Sequence, residues 1–381
     1  MANTLTGLIP TMYNALDRVS RELIGFIPAV TGDMTFARAA VGQTVISPVA
    51  PAATGTDIAP GVTPPNDGDK TIGSVSMTIS KAKRSPVRWN GEEKLGLDNN
   101  GASYNTILSD QFTQSMRWLT NQVEADLAAL YASASRASGT AGTTPFGTAG
   151  DLSGTADSLR ILEENGAQGL DFQLVVGSAA MNNLRAKQSV LFKVNEAGSS
   201  DMLRTGMTNE LQNFKLRQSA QIQTPAAGTG AGYLVNNAAA AVGDTTIPVD
   251  TGTGTILAGD VITIAGDSNQ YVVATALTGG NVVIAKPGLK VAVADNSAVT
   301  VKGAAVRNMF FARSAIALAT RVPALPQGGD MADDRTIITD PISGLSFEVA
   351  LYRQYRQIQF EVALAWGTKA VKAEHMGLLL G

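Results

Sequence analysis

The chain has 381 residues, enough for two or three domains with a sizeable core, and it contains no cysteine. Disulfides, thiolate metal sites and cysteine nucleophiles are excluded, and a cytosolic or redox-indifferent setting is the simplest expectation. Charged residues make up 16% and the net charge is −3, so the chain lacks the basic footprint that a sequence-reading nucleic-acid binder needs. That charge content lies below the ~25% of ordinary soluble domains. It suits a subunit whose faces are covered by other subunits, because charge is depleted at interface cores, and it suits an ordinary bacterial protein equally. No basic stretch precedes the apolar residues of MANTLTGLIP, and no run of about 18 apolar residues occurs, so neither a signal peptide nor a membrane span is expected.

In chain order, PTMYNALDRVSRELI (10–24) predicts a short amphipathic helix, with Pro10 at its start, Leu16, Val19, Leu23 and Ile24 on one face, and Gly25 as its stop. It reads as an arm that docks on a distant part of the chain or on a neighbouring molecule. Residues 36–90 are punctuated by Pro and Gly, with strands expected near Gln43–Val49 and Thr71–Arg88. In GSVSMTIS, the alternation of Val75, Met77 and Ile79 with Ser and Thr marks a half-buried strand. A hairpin this long is marginal in water and is expected to be covered in an assembled state. Its basic residues Lys81, Lys83, Arg84 and Arg88 have two readings, a solvated strand face or a contact with acidic groups of a neighbour.

The stretch from Ser103 to Ala137 predicts a long helix. Leu108, Phe112, Met116, Leu119, Val123, Leu127 and Leu130 recur at steps of three and four, with Ser103 as cap and Gly139 as stop. Such a spine would span about 50 Å at ~1.5 Å per residue; a core helix of a globular enzyme is the other reading. A compact α/β unit follows, with helices at 156–165 and 178–187 and strands at 172–177 and 213–222. From Pro225 to Gly303 the composition turns all-β, with short β-branched runs TTIPVD, DVITIAG, QYVVATAL, NVVIAK, LKVAVAD and AVTVKG between Gly- and Asn-rich turns. These predict a small barrel or sandwich inserted into the host domain. Residues 308–321 return to the α/β unit, a Pro-, Gly- and Asp-rich loop runs through Pro341, and two alternating strands close the chain, joined at 352–357 by a continuing strand or a tight bend.

Catalytic groups are scarce. His375 is the only histidine, so a Ser-His-Asp arrangement would depend on it; a surface or interface histidine is the expectation. Ser80 and Lys83 match S-x-x-K, but residues three apart on a strand point to opposite faces. GTGAG (228–232) and GTGT (252–255) lack the spacing and following helix of a dinucleotide site and read as turns. Asp330, Asp333 and Asp334 have oxygens for a hard cation, but their spacing matches no EF-hand; solvent exposure and a contact with basic residues of another subunit are the other readings.

The order of these pieces, with FQLVVGSAAMNNLRAK in the α/β lobe and AWGTKAVKAEHMGLLL at the close, resembles the major capsid protein of tailed bacteriophages, an α+β fold of the Hong Kong 97 type. The all-β insertion is similar to that of the coat proteins of short-tailed Salmonella phages. The resemblance implies an amino-terminal arm (1–35), an extended loop lying over the next subunit (36–90), a peripheral domain with the spine helix (91–149 and 326–381), an axial domain (150–224 and 304–325) and an inserted β domain (225–303). It implies a structural protein of the virion, not an enzyme, without cofactor or metal, made in the host cytoplasm. Such subunits form pentamers and hexamers of an icosahedral shell around double-stranded DNA, with a scaffolding protein and a portal protein as partners. The runner-up class is a secreted or surface adhesin or carbohydrate-binding β protein, for which the expected secretion signal is missing.

Overall fold

A computed structural model describes residues 23–49, 55–58, 60–63, 68–99, 104–167, 171–188, 210–237, 240–340 and 343–381. Most of the expected arm helix, the cap Ser103 and parts of the hairpin tip lie outside the described residues; Leu23 and Ile24, the end of the expected helix, are irregular. In chain order the elements are β1 (Thr31–Ala39), β2 (Thr44–Val49), β3 (Gly73–Thr78), β4 (Lys81–Asn90), α1 (Gly91–Asn99), α2 (Tyr104–Ala128), β5 (Arg136–Ser138), α3 (Ser153–Glu164), β6 (Phe172–Val176), α4 (Ser178–Lys187), β7 (Glu210–Leu211) and β8 (Phe214–Gln218). Then come β9 (Tyr233–Val235), β10 (Thr246–Asp250), β11 (Val261–Ile264), β12 (Gln270–Thr278), β13 (Asn281–Ile284), β14 (Ala298–Val301), β15 (Arg307–Ala312), β16 (Ile316–Pro323), β17 (Asp334–Thr339), β18 (Ser346–Gln354), β19 (Gln357–Ala370) and β20 (Met376–Leu380).

The spine is shorter than its periodicity predicts. Helix α2 ends at Ala128, the next turn tightens to a 3-10 helix over Ala129–Ser133, and the chain is extended by Ala134. Its 25 residues span about 37 Å at ~1.5 Å per residue. Tertiary pairing overrides the helix-compatible sequence AALYASASRA: Ser135 donates from both N and Oγ to the Met376 carbonyl, and β5 pairs in parallel with β20. Leu119, Val123 and Leu127 are fully buried in the main core, whereas Leu108, Phe112 and Met116 on the same face are only half-buried. The apolar stripe is therefore sealed over its carboxyl half and open over its amino half.

The helix packs on β4 and β19 of one sheet, and residues of a second sheet join the same core cluster. The first has six strands, β1-β16-β19-β18-β17, with β4 paired to the amino half of β19. Its β1–β16 pair is parallel and joins residues nearly 290 positions apart (Thr31↔Ala317). The second has twelve strands, running from β11 through β14, β9, β10, β13 and β12 to β5, β20, β15, β6, β8 and β7. Because β11 also pairs with β12, its first six strands close on themselves as an antiparallel ring around Val235, Ile247, Ile262, Tyr271 and Val282. The ring is not a detached appendage: Gln270 and Tyr271 of β12 pair with Ala137 and Arg136 of β5, and Val261 and Val272 belong to the host core. Arg136, 1% exposed, is held there by Asn269, Asn165, the Ile161 carbonyl and Glu164.

Three further expectations need correction. LKVAVAD is not a strand: Leu289 and Val293 bury their side chains, but their backbones pair with the short 240–244 loop, through the Ala240–Val293 bridge and the hydrogen bonds of Leu289 with Gly243 and Asp244. The loop expected through Pro341 contains β17, whose β-branched TIIT run pairs antiparallel with β18 from Asp334↔Leu351 to Thr339↔Ser346. Residues 308–321 divide between the sheets, β15 entering the twelve-stranded one and β16 the six-stranded one. The join at 352–357 is the tight bend, with only Tyr355 and Arg356 between the paired Gln354 and Gln357.

Candidate interaction surfaces

Among the described residues no cluster of His, Asp and Glu could hold a metal ion, and no helix is long and apolar enough to cross a membrane. His375, expected at the surface or an interface, is buried at 8% exposure in the single chain, and its Nδ1 has no hydrogen-bond partner among the described residues. Burial, reinforced by Lys372, pushes its pKa below the usual histidine value and favours the neutral imidazole. The short 3-10 turn Ala373–His375 is pinned beside the buried β20, which places the ring inside the fold.

The four basic residues sit on β4, where the strand pleat splits them. Lys83 faces α2, donating to Gln122 Oε1 at 2.5 Å with its ammonium 5.6 Å from the Trp118 ring centroid. Lys81 pairs with Asp126 of α2 at 2.6 Å, and the other Asp126 oxygen accepts from Trp366 Nε1 at 2.8 Å. Arg84 pairs with Glu361 on β19 at 2.8 Å, and Arg88 is exposed. The three acidic residues lie beyond β18: Asp330 accepts from the Ala332 amide and the Tyr352 hydroxyl and pairs with Arg335, Asp333 lies 3.4 Å from Arg353, and Asp334 accepts from the Arg335 amide. The amide of Ala332 is the largest influence holding the Asp330 carboxyl below the ordinary range. The two sets are thus not brought together. In the strand order β17-β18-β19-β4 they occupy opposite edges, acidic at β17 and basic at β4.

The β2–β3 hairpin forms its own two-stranded sheet, in register from Thr44↔Thr78 to Val49↔Gly73. Its root is anchored by a small cluster of Ala39, Met77, Ile79, Ala319 and Ala365. Gly367 on β19 makes that anchorage possible, because a Cβ there would collide with the Thr78 carbonyl oxygen. Beyond the root the hairpin buries little: Ile46 and Ile72 are 63% and 71% exposed, and Ile58 in the connecting loop is 97% exposed. Among the described residues no third strand pairs with this ribbon, whose backbone meets the fold through the Lys369 ammonium on the Ser76 carbonyl, and a two-stranded ribbon with apolar side chains in water does not stand well alone.

A third surface lies where the stripe on α2 is open. Leu108, Phe112 and Met116 face Ile338, Val349 and Phe360 across a groove of about 500 Å³. The Phe112 and Phe360 rings meet edge to face at 5.2 Å.

The side chain that most tightly joins distant segments was not legible in the sequence. Glu124 of α2 is fully buried, and its carboxylate accepts from the amides of Phe26 (3.1 Å) and Ile27 (2.8 Å) and from the Ser219 hydroxyl (2.9 Å). It ties the root of the amino-terminal segment to the spine and to the end of β8. The only available signal was an acidic residue flanked by the stripe positions Val123 and Leu127.

No family model matches the chain, and no curated protein matches it. Among solved structures, a chain from Mycobacterium phage Che8 is 10% identical with a TM-score of 0.49, over 99% of this chain and 98% of that one. A chain of the capsid of cyanophage P-SCSP1u is 11% identical with a TM-score of 0.49, over 100% and 92%. One from the mature capsid of bacteriophage PhiM1 is 8% identical with a TM-score of 0.47, over 100% and 91%.

Proposed function

We propose that the chain is a shell-building subunit, the major capsid protein of a tailed phage, with a Hong Kong 97-type organisation and an inserted β domain of the kind found in short-tailed Salmonella phages. The observation that carries this reading is the β2–β3 hairpin: long, two-stranded, with its apolar anchorage among the described residues at its root, and studded with exposed isoleucines. Another molecule must cover it for its apolar surface to be an asset. The charge arrangement supports the same reading. Acidic Asp330, Asp333 and Asp334 at one sheet edge and basic Lys81, Lys83, Arg84 and Arg88 at the opposite edge give the sheet edges of opposite sign, and although most of these side chains also have partners within the chain, that polarity suits a head-to-tail contact, the interface type that closes into rings. Pentamers and hexamers of an icosahedral shell are the corresponding assemblies, with a scaffolding protein, a portal and enclosed double-stranded DNA as partners, formed in the host cytoplasm and retained in the virion.

Replacing Ile46 and Ile72 together with Glu tests the hairpin's role. Both side chains are exposed in the single chain, so its unfolding free energy is expected to change by less than about 0.5 kcal/mol, while shell formation stops because charges are placed into the covered surface. Normal shells from this variant, observed by electron microscopy, would remove the hairpin from the account.

A further inference from the structure

The β18–β19 turn breaks a local rule. Arg356 adopts φ +56, a left-handed backbone that Gly and Asn take readily and other side chains rarely do. A two-residue hairpin turn is better served by Asn-Gly or Asp-Gly. The turn's backbone gains a 3.3 Å hydrogen bond from the Gly91 amide to the Arg356 carbonyl, but Tyr355, 88% exposed, returns no packing, and large side chains kept on a strained turn without packing point to a use for them.

The turn overhangs a concavity of about 640 Å³ whose walls include Trp89, Lys94 and Arg353. Lys94, Arg353 and Arg356 line it against a single acid, Glu92. Lys94 and Arg356 have no ion pair among the described residues; instead their charges lie over aromatic rings, 5.1 Å from the Tyr104 centroid and 5.8 Å from that of Tyr355. The one pair in the group, Arg353 with Asp333, spans 3.4 Å with the arginine side chain 73% exposed, so it holds the guanidinium weakly.

We propose that this hairpin tip binds the phosphodiester backbone of nucleic acid, with Lys94, Arg353 and Arg356 on phosphates and the Tyr355 ring against a sugar or base. Cations interleaved with an exposed ring fit a nucleic-acid strand; an acidic protein segment would use the cations and leave the tyrosine without a purpose. This deepens the shell reading by naming where enclosed nucleic acid is touched, and it rests on that reading for the source of the ligand.

The test measures fluorescence anisotropy of a fluorescein-labelled DNA duplex titrated with the full chain, from about 50 to about 200 mM salt. The triple variant Lys94→Gln, Arg353→Gln, Arg356→Gly is expected to bind with a salt slope shallower by about 2.7, at about 0.9 for each phosphate no longer neutralised, so its affinity falls about 40-fold less over that range. A companion variant, Tyr355→Asn with Arg356→Gly, puts glycine at the left-handed position, so it is expected to fold at least as stably and still bind more weakly. An unchanged slope in the triple variant overturns the proposal. So does a polyglutamate chain that displaces the duplex at equal charge concentration, because it assigns the tip to an acidic protein segment. Particle formation is scored in parallel: wild-type chain that binds duplex with the steep slope yet never forms shells sinks the shell reading alone, and shells from the triple variant with the shallower slope leave both standing.

Discussion

Glu124→Ala is expected to lower the unfolding free energy by about 3 kcal/mol, because it strands two backbone amides and one hydroxyl in a buried site at about 1 kcal/mol or more each. The Phe26 and Ile27 amides and the Ser219 hydroxyl converge on that carboxylate from segments nearly 100 residues away on either side. No ion pair compensates the charge among the described residues; the Arg217 guanidinium senses it without touching it. Glu124→Gln keeps one accepting oxygen but presents an NH2 group to a donor, so a loss of about half that size is expected. Denaturant unfolding of the purified variants measures both, and a Glu124→Ala loss below about 1 kcal/mol would contradict the clasp.

The same residue sets a pH dependence. Burial is the largest influence on the Glu124 carboxyl and lifts its pKa above the ordinary value against the pull of the donors. A folded-state value above the unfolded one, which is about 4.3, makes the contribution of the group fullest below the unfolded value and progressively lost as pH rises through the folded value. The stability of the wild type relative to Glu124→Gln is therefore expected to grow on acidification. A gap that shrinks toward low pH would mean that the donors outweigh burial.

Deleting residues 225–303 is expected to abolish soluble monomer rather than to trim an ornament. The deletion removes the β12 partner of β5, takes Val261 and Val272 out of the host core, and strips Asn269 from buried Arg136. It also removes Asp260, the carboxylate whose charge opposes Arg307. Arg307 is 1% exposed and its three guanidinium nitrogens have no hydrogen-bond partner among the described residues, so the loss of Asp260 leaves this buried cation with less opposing charge. Soluble, cooperatively unfolding chain after the deletion, seen by sedimentation and thermal melting, would show that the ring stabilises nothing outside itself.

The sequence carried the local signals well and the long-range ones poorly. The three-and-four spacing from Leu108 to Leu127 places the spine, SAAMNNLRAK is helix α4 residue for residue, and the alternation in GSVSMTIS places β3. Failures occur where a distant partner decides. Ala129 to Ala137 has helix-compatible residues, yet Met376 and β20 draw its end into a strand. The Asp- and Gly-rich approach to β17 hid a β-branched run that is a strand only because β18 lies beside it. The parallel β1–β16 pair, the Glu124 clasp and the separation of the acidic and basic sets onto opposite sheet edges all depend on residues far apart in sequence, for which periodicity offers no signal. The strained Arg356 turn was legible only as a choice between continuing strand and bend, since its cost appears only with the backbone angle.

Sedimentation velocity with negative-stain electron microscopy on the purified chain, alone and with a candidate scaffolding protein, tests the central claim most directly. The shell reading predicts closed particles of many subunits, with the exposed β2–β3 hairpin covered. A chain that stays monomeric or forms only small oligomers under every condition, scaffold included, would contradict it.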